Sequence, residues 1–309
     1  RCDDRPWRNK NFRTTKLVIE KDEYSRLSQW SSHKKWYGIW FMKINLLDFN
    51  REELTAFITE MGFPAFRGKQ IYEWLVKGIM SFDEMTNIPA NIKNILAEKS
   101  YTGIPEIKEK YQSQIDDTCK YLFCLKDGCI IESVLMKYKY GYSICISSQA
   151  GCRMGCTFCA SSDIPFSRSL TAGEMLGQII AINRDKDIRI GHVVIMGIGE
   201  HLDNYDNVIR FLKNVQSPDS VGISYRKISL STCGVVPGIY KLAEENMPIT
   251  LSVSLHNPFD EQRSAIMPVN RKYSLDKLFE ACNSYVVKTG RRITFEYSMI
   301  SGVNDSMEH

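Results

Sequence analysis

The amino-acid sequence predicts an α/β protein whose larger part is built from parallel β/α units, preceded by a small helical module and a β-hairpin linker. Beyond residue 140, five strand-like segments alternate with stretches long enough for helices, a pattern typical of parallel β/α units. Residues 42–104 space their apolar side chains as helices do, and residues 105–140 switch to a period of two. We therefore divide the chain into residues 1–41, 42–104, 105–140 and 141–309.

The composition is that of a globular protein large enough to bury a sizeable core. Of the 309 residues, 43% are hydrophobic and 25% are charged. No apolar run is long enough to span a membrane, and the first thirty residues lack the pattern of a secretory signal. We therefore expect a cytoplasmic protein with no membrane partner. In that reducing compartment, ten cysteines indicate thiols, metal ligands or redox groups before they indicate a disulfide framework.

The positive charge is concentrated at the start of the chain. Residues 1–41 hold ten basic and five acidic residues, whereas residues 42–309 hold thirty basic and thirty-one acidic residues. Bulk charge therefore gives no support for nucleic-acid binding. Residues 1–41 also lack helical or strand periodicity, so we interpret them as a leader of foreign or upstream origin that precedes a natural start at Met42. A genuine irregular extension of the fold is the alternative.

Three short helices are expected between residues 42 and 104. Asn50 caps the first, with Glu53 three residues later as in a capping box, and the helix ends before Gly62. The second runs from about Gly68 to Lys77, and the third follows Pro89. The lysines and arginines of this module suit a solvated helix face better than an RNA contact on sequence alone.

The hairpin and the parallel strands follow in order. Asp127 and Gly128 join two runs of alternating polarity within "KYLFCLKDGCIIESVLMKY", which predicts a β-hairpin. The parallel strands are predicted at "YSICISS", "HVVIMGI", "KISLST", "ITLSVSLH" and "RITFEYSMI". In parallel sheets, ligands gather at the carboxyl ends of the strands, so we expect the functional site just after these segments.

Three cysteines follow the first parallel strand in "GCRMGCTFCA", spaced as C-x3-C-x2-C. Thiolates of Cys152, Cys156 and Cys159 on a tight loop can hold three irons of a 4Fe-4S cluster and leave the fourth iron free to bind substrate. A structural zinc site is an alternative, but it needs a fourth ligand, and no partner pair is evident. Three structural thiols are the remaining alternative. Phe158, inside the motif, is placed either to shield the cluster from water or simply to pack.

The motif resembles the signature of radical S-adenosyl-L-methionine (SAM) enzymes, in which SAM binds the fourth iron. Longer stretches are similar to the bacterial 23S rRNA adenine carbon-2 methyltransferases, the RlmN family, and the resemblance covers nearly all of residues 42–309. It implies that the helical module binds RNA. The matching stretches are "CISSQAGCRMGCTFCAS", "SLTAGEMLGQI", "VVIMGIGEHLDNYDNVIRFL", "ISLSTCGVVPGI", "SVSLHNPFDEQRSAIMPVNRKY", "EYSMISGVNDSMEH", "FPAFRGKQIYEWL" and "SFDEMTNIP".

The resemblance implies a set of cofactor-binding residues. Besides the three cysteines that hold the cluster, Gly199 and Glu200 match the pair that binds the SAM amino group. Further SAM contacts match Ser231 and the stretch Ser254, Leu255 and His256. Without the resemblance, each serine would be taken for a strand-end hydroxyl bonded to backbone, and His256 for a structural histidine.

Two catalytic residues are implied as well. Cys145 lies on a predicted strand with parity opposite to Ile144 and Ile146, so one face of the strand is core and the other meets the site. The family's matching thiol resolves a protein–RNA adduct by thiol–disulfide exchange, and Glu132 matches an acid that removes the adenine proton. A small buried hydrophobe is the alternative for Cys145. We assign structural roles to the other cysteines of residues 42–309: Cys119, Cys124, Cys129, Cys233 and Cys282.

The implied reaction methylates carbon 2 of adenine 2503 in 23S rRNA, with adenine 37 in tRNA as a second candidate substrate. One SAM methylates a carrier cysteine, and a second SAM, split by an electron from the cluster, supplies the radical chemistry. The adenine must leave its stack to enter the site. An electron donor such as flavodoxin or ferredoxin is implied as a partner. The rival functions are methylation at carbon 8, which confers antibiotic resistance, and a non-catalytic iron–sulfur or RNA-binding fragment.

Two features depart from the family pattern. His201 stands where the family usually has proline, from which we expect a looser turn after Glu200. The chain also stops at His309, before the sixth barrel strand and the segment that bears the carrier cysteine in the family. From this we expect a partial radical SAM (β/α)6-type barrel, with five strands present and the C-terminal strand missing, that cannot complete methyl transfer.

Overall fold

A computed structural model describes residues 43–309, so the leader assigned to residues 1–41 lies outside the described residues. Each predicted helix of the N-terminal module is present, and the first begins with the expected capping box between Asn50 and Glu53. Within the described part the α-helices are α1 (Arg51–Glu60), α2 (Phe66–Val76), α3 (Ala90–Lys99), α4 (Ala172–Lys186), α5 (Tyr205–Gln216), α6 (Val236–Glu244), α7 (Asp260–Ile266) and α8 (Leu275–Thr289). Short 3-10 helices occupy Leu46–Asp48, Phe82–Glu84, Ala160–Asp163, Tyr225–Lys227 and Pro268–Arg271.

One mixed sheet of eight strands organises the described residues. Its strands are β1 (Glu106–Gln112), β2 (Cys119–Cys124), β3 (Ile130–Tyr138), β4 (Gly141–Ile146), β5 (Ile190–Ile195), β6 (Ile228–Thr232), β7 (Thr250–Ser254) and β8 (Ile293–Glu296). Their spatial order is β8-β7-β6-β5-β4-β3-β2-β1. Two pairs of two-residue strands lie apart from it: Ile44–Asn45 with Ser100–Tyr101, and Gln149–Ala150 with Arg168–Ser169.

The sheet has a parallel half and an antiparallel half that meet at β4. Strands β4 to β8 run parallel in the predicted order, which confirms the five β/α units. Strands β1 to β4 run antiparallel and continue the same sheet. The predicted hairpin is β2 and β3, with Gly128 in its turn at φ +85°. Sequence reasoning missed β1 because all but one of its side chains are exposed, so no alternation of polarity marks it.

The parity expected for the first parallel strand is confirmed. Ile144 and Ile146 are fully buried in the main core, whereas Cys145 between them is only partly buried. The same core continues into the N-terminal module, which includes Leu54 and Leu75. The two faces of the parallel sheet therefore differ, and the chemistry-bearing side chains lie on the face opposite these isoleucines.

Helix α4 connects the N-terminal module to the sheet. A Cβ added at Gly173 would lie 2.6 Å from the backbone nitrogen of Asp48, so only glycine admits this close approach. The backbone N–H of Gly173 donates to Asp48 Oδ1 at 2.7 Å, and Arg210 Nε donates to the Asp48 carbonyl oxygen. Burial raises the pKa of Asp48 to about 6. Among residues 43–309, no helix is long and apolar enough to cross a membrane.

Candidate active site

The predicted site residues gather at the carboxyl ends of the parallel strands. The cysteine loop follows β4, Gly199 and Glu200 follow β5, and Ser231 lies at the end of β6. Ser254 ends β7 and is followed by Leu255 and His256. Because neighbouring parallel strands end at the same edge of a sheet, these residues share one region of the molecule.

The cysteine loop is held at both ends by backbone contacts. Gly151 enters it at φ +77°, and a Cβ there would lie 2.1 Å from the carbonyl oxygen of Pro165. The N–H of Thr157 donates to the carbonyl of Ile266 at the end of α7, at 3.0 Å. Cys159 N–H donates to the Cys156 carbonyl at 3.2 Å, which closes a tight turn between two of the thiols. The loop therefore rests on α7 and on the segment that leads into the two-residue strand Arg168–Ser169.

The three thiols fit a four-iron cluster better than a single metal ion. Cys152, Cys156 and Cys159 are free thiols on one loop. Within residues 43–309, no three His, Cys, Asp or Glu side chains lie close enough to ligate one ion. A 4Fe-4S cluster binds each thiolate through a different iron, so its ligands stand further apart than those of zinc. Burial, aided by the neighbouring thiols, raises the pKa of Cys156 to about 12, so the free thiol stays protonated until metal displaces its proton.

A salt bridge ties the cysteine loop to the segment after β5. Arg153 Nε lies 3.0 Å from Asp203 Oδ2, and the Arg153 guanidinium carbon lies 3.9 Å from the centroid of the Phe166 ring. The amide of Gln149 donates to the same Asp203 oxygen at 2.9 Å. The loop that follows β4 and the loop that follows β5 are thus fixed to each other beside the thiols.

Glu200 is a buried carboxylate with its hydrogen bonds supplied by the next strand. Its Oε1 accepts from the Thr232 hydroxyl at 2.7 Å, and its Oε2 accepts from the Cys233 N–H at 2.7 Å. Leu202 N–H also donates to Oε1. Burial is the main cause that raises the pKa of Glu200, and these donors oppose it. Because a carboxylate has about four lone-pair sites, it retains acceptor capacity for an ammonium group.

Gly199 is required by the conformation that places Glu200. Its φ is +114°, a value that L side chains rarely adopt. A Cβ at this position would also lie 2.6 Å from Gln149 Cβ. The N–H of Glu200 donates to Gln149 Oε1 at 3.0 Å, so the turn after β5 packs directly on Gln149 in the loop after β4.

Glu296 is hydrogen-bonded to Ser231 and Ser254 at the site, and it was not predicted from the sequence. Its Oε2 accepts from the Ser231 hydroxyl at 2.9 Å and from the Ser254 hydroxyl at 3.1 Å. The three residues come from β6, β7 and β8, and Ser254 pairs directly with Glu296 in the sheet. The sequence does carry a signal for Glu296, which is the only acidic residue of the short strand "ITFE" and stands at its end. A charged side chain at that position must face either solvent or the site.

His256 is held in a strained conformation against the cysteine loop. Its φ is +56°, and its Nδ1 accepts from the N–H of Ser298 at 3.0 Å. The Phe158 ring meets the imidazole edge-on at 4.8 Å between centroids. Burial, opposed in part by Glu296, lowers the pKa of His256, so the imidazole is neutral at pH 7. The Leu255 N–H donates to the Glu296 carbonyl at 3.0 Å, which fixes the same turn.

Cys145 and Glu132 lie on the adjacent strands β4 and β3. Cys145 pairs with Val134, two residues from Glu132, so both side chains point to the same face. Burial, with a smaller contribution from Glu132, raises the pKa of Cys145 to about 11. Lys120 Nζ lies 3.2 Å from Glu132 Oε1 on the half-exposed surface of the sheet. The hydroxyl of Ser147 donates to the Glu132 carbonyl at 2.7 Å, which links the end of β4 to β3.

The turn after Glu200, which was expected to be looser than in the family, holds His201 in a hydrogen bond to the loop after β4. The imidazole is buried, and its Nδ1 shares a 2.7 Å hydrogen bond with the Ser148 hydroxyl. The N–H of Asn204 donates to the His201 carbonyl, and the Asn204 side chain donates to the Ser148 carbonyl. Burial lowers the pKa of His201 to about 3, so the ring is neutral. The histidine thus takes a defined place between the loops that follow β4 and β5.

Of the remaining cysteines, one lies at the site itself. Cys233 is buried, and its N–H donates to Glu200. Its side chain packs in a small cluster with Ile266 and Met267, against which Cys156 also packs. Cys119 and Cys282 are buried in the main core, in keeping with structural roles.

Comparisons with known proteins agree with this geometry. The model of the Radical SAM superfamily matches residues 146–309, and the model described as "Ribosomal RNA large subunit methyltransferase N-terminal domain" matches residues 44–102. A crystal structure of a radical SAM methyltransferase from Sphaerobacter thermophilus superposes with a TM-score of 0.82 and 37% sequence identity, covering 86% of this chain and 79% of that one.

Several curated relatives carry the name probable dual-specificity RNA methyltransferase RlmN. The protein from Clostridium beijerinckii is 51% identical over 264 residues, which is 85% of this chain and 75% of the relative. The protein from Alkaliphilus oremlandii is 50% identical over 263 residues, and that from Desulforamulus reducens is 48% identical over 268 residues; each alignment spans 77% of the relative and 85% or 86% of this chain.

The parallel strands with a cysteine loop at their carboxyl ends, together with the superfamily match, define a radical SAM enzyme. Membership of this superfamily implies a 4Fe-4S cluster and SAM. Since about half of its residues are identical to those of these relatives over most of its length, the chain belongs to the RlmN family of methyltransferases.

Proposed function

We propose that this protein methylates carbon 2 of adenine 2503 in 23S rRNA and of adenine 37 in tRNA. The observation that carries the proposal is the placement of Cys145 and Glu132 on the site face of the sheet, next to the strand that leads into the cysteine loop. The names of the relatives, dual-specificity RNA methyltransferases, support an RNA substrate of two kinds. The matched N-terminal family model supports the ribosomal RNA of the large subunit as one of them.

The proposed cofactor site consists of metal ligands and hydrogen-bonding groups of this chain. Cys152, Cys156 and Cys159 would hold the cluster, and the Glu200 carboxylate would accept from the SAM amino group. Ser231, Ser254, Leu255 and His256 would complete the SAM site, with Glu296 oriented among them by the two serine hydroxyls. When bound, the cluster and SAM would supply a carbon radical, which carbon 2 of adenine requires because this aromatic carbon is too weakly nucleophilic to attack the electrophilic methyl group of SAM directly.

Two side chains have roles in proton and thiol chemistry. Glu132 would accept the proton that leaves adenine carbon 2, a role that requires an ionised carboxylate, and Lys120 Nζ lies 3.2 Å from its Oε1. Cys145 would exchange with the family's carrier cysteine as the product leaves. Its raised pKa keeps it a thiol at neutral pH, so it must lose its proton at the moment of exchange and not before.

The reaction also needs a cellular context. A one-electron donor of the flavodoxin or ferredoxin type would deliver the electron to the cluster, and the protein would work in the cytoplasm, where ribosomal and transfer RNA are found. At the start of α2 the half-buried Arg67 lies over the exposed ring of Phe66, and a cation beside a ring suits phosphate and base contacts.

The experiment that tests the proposal is identification of the modified nucleotide. The chain is reconstituted anaerobically with iron and sulfide, supplied with SAM and a reductant, and incubated with 23S rRNA fragments or tRNA. Chromatography with mass analysis separates 2-methyladenosine from 8-methyladenosine. The proposal predicts 2-methyladenosine, an outcome that would also refute the expectation that this chain cannot complete methyl transfer; 8-methyladenosine would assign the rival activity, and RNA binding with no cleavage of SAM would assign a non-catalytic role.

A further inference from the structure

Arg263 on α7 is a fully buried arginine without an ion-pair partner among residues 43–309. Its relative exposure is 0%. Its Nε donates to the Leu255 carbonyl at 2.9 Å, and its Nη2 donates to the carbonyls of Cys233 and Ser254 at 2.8 and 2.9 Å. Its Nη1 donates to the side-chain oxygen of Asn270 at 2.6 Å. Each of these acceptors is neutral. The guanidinium therefore has hydrogen-bond partners, but no negative group offsets its positive charge.

An uncompensated buried cation is costly. Moving a charge out of water costs several kcal/mol even after relaxation, unless an opposite charge offsets it. Asp260, three residues earlier, does not supply this opposite charge. It is exposed, and its Oδ1 accepts from the Asn270 amide at 3.0 Å and from the Leu275 N–H at 2.7 Å. The guanidinium remains protonated despite its burial, because arginine does not lose its proton in proteins.

The cation lies beneath the loop that carries the candidate cluster ligands. The N–H of Thr157 donates to the Ile266 carbonyl, three residues after Arg263 on the same helix. Cys156 packs against Ile266 and Met267, together with Cys233, whose carbonyl accepts from Arg263. Burial lowers the pKa of Arg263, and the thiols of Cys233 and Cys156 are the main groups that oppose this. The anionic group that suits this position is therefore one bound by Cys156.

We propose that Arg263 is the buried counter-charge of the iron–sulfur cluster and raises its reduction potential. The inference rests on the proposed role of Cys152, Cys156 and Cys159 as ligands. A 4Fe-4S cluster with three thiolates is anionic, and accepting an electron makes it more so. A nearby cation stabilises the reduced state more than the oxidised state, and low polarity around it strengthens the effect. Arg263 is thus a positioning and tuning residue, since it does not touch substrate.

The test compares two substitutions that separate charge from hydrogen bonding. Arg263→Gln removes the charge and keeps a donor, whereas Arg263→Lys keeps the charge and loses the fork of donors. Arg271→Gln is the matched control, because it removes an exposed arginine eight residues away. Each protein is reconstituted anaerobically, its iron and sulfide are counted, and its midpoint potential is measured by a reductive titration followed by electron paramagnetic resonance.

We expect Arg263→Gln to shift the midpoint potential to a more negative value, while Arg263→Lys and Arg271→Gln stay near the wild type at pH 7. Thermal stability is expected to fall in both Arg263 variants, since both lose bonds to strand ends. An unshifted potential in a fully loaded Arg263→Gln protein would overturn the inference. So would an equal shift in both Arg263 variants that does not change with pH, because that would assign the effect to structure.

If Arg263→Gln fails to fold, Arg263→Lys still decides the question. A buried lysine loses its proton far more readily than arginine, so the potential of this variant should fall between about pH 7 and 10 relative to the wild type. A difference that stays constant over this range contradicts the inference. A wild-type protein that binds no four-iron cluster would refute the ligand assignment itself, which distinguishes failure of the proposed function from failure of the Arg263 inference.

Discussion

The ring of Phe158 stands edge-on to the imidazole of His256, with 4.8 Å between centroids and 80° between planes. Phe158 belongs to the cysteine loop after β4, and His256 to the turn after β7, so the contact joins two residues that are 98 positions apart in the chain. Sequence reasoning left Phe158 between a shield for the cluster and simple packing. The structure gives it a specific partner, which is itself a proposed SAM contact.

Removing this contact should weaken SAM binding. Phe158→Ala deletes an aromatic pair that contributes about 0.5–1.5 kcal/mol in addition to the burial of its apolar surface. If the pair stabilises only the protein with SAM bound, its loss lowers the affinity for SAM by roughly two- to tenfold. Equilibrium binding of SAM to the cluster-loaded protein measures the effect. Phe158→Tyr keeps the ring and should bind SAM as the wild type does. Equal losses in both variants would contradict a role for the ring contact.

Glu296 should be needed for the SAM site to keep its shape. In Glu296→Ala, the hydroxyls of Ser231 and Ser254 lose their common acceptor, at a cost of about 1–3 kcal/mol. Glu296→Gln keeps an acceptor oxygen and should retain more SAM affinity than the alanine variant. Thr294→Ala, two residues earlier on the same strand, is the control for general damage to β8. Wild-type affinity in Glu296→Ala would exclude the residue from the site.

Gly199 should tolerate no side chain. Gly199→Ala imposes both a strained φ of +114° and a clash with Gln149 Cβ, so we expect destabilisation above the 1–3 kcal/mol typical of backbone strain alone. Gly128→Ala is the matched control, because Gly128 also has a positive φ but meets no atom within 4 Å. Denaturant unfolding of both variants gives the comparison. Similar losses in the two proteins would mean that the contact with Gln149 adds nothing.

His201 should make the protein sensitive to acid. Its pKa of about 3 in the folded state lies below the ordinary value of 6.5, so below about pH 6.5 the unfolded chain takes up a proton that the folded chain does not. The contribution of the neutral His201 to the free energy of unfolding is therefore fully present above pH 6.5 and is lost as the pH falls toward 3. At pH 5 the loss is about 2 kcal/mol, since one pKa unit corresponds to about 1.36 kcal/mol.

The measurement is the free energy of unfolding at pH 7 and at pH 5 for the wild type and for His201→Asn. The amide of asparagine can replace the bond to Ser148 but does not titrate, so the variant should lose about 2 kcal/mol less between these two pH values. Groups common to both proteins cancel in the difference. Parallel pH profiles would show that the imidazole is accessible to protons in the folded state.

Local chemistry explains how much of the fold the sequence could predict. Capping at Asn50, the turn at Gly128 and the five parallel strands were predictable because each depends on residues close in sequence. The C-x3-C-x2-C loop was predictable for the same reason. Strand β1 was not, since its exposed side chains carry no alternating pattern and only its pairing with β2 defines it.

The parts of the site that depend on distant residues could not be predicted. Glu296 meets Ser231 across 65 positions of sequence, and Arg263 meets Cys233 across 30. His201 shows the limit most clearly. A looser turn was expected where the family usually has proline, but no feature near His201 in the sequence indicates that Ser148 is its hydrogen-bond partner.

The most direct test of this account is formation of 5′-deoxyadenosine by the anaerobically reconstituted protein, given SAM and dithionite. The account predicts that the wild type forms it and that a Cys156→Ala variant, which lacks one proposed ligand, does not, while Cys282→Ala, which removes a buried core thiol, retains the activity. A wild-type protein that carries its full iron and sulfide yet leaves SAM intact would contradict the proposed site.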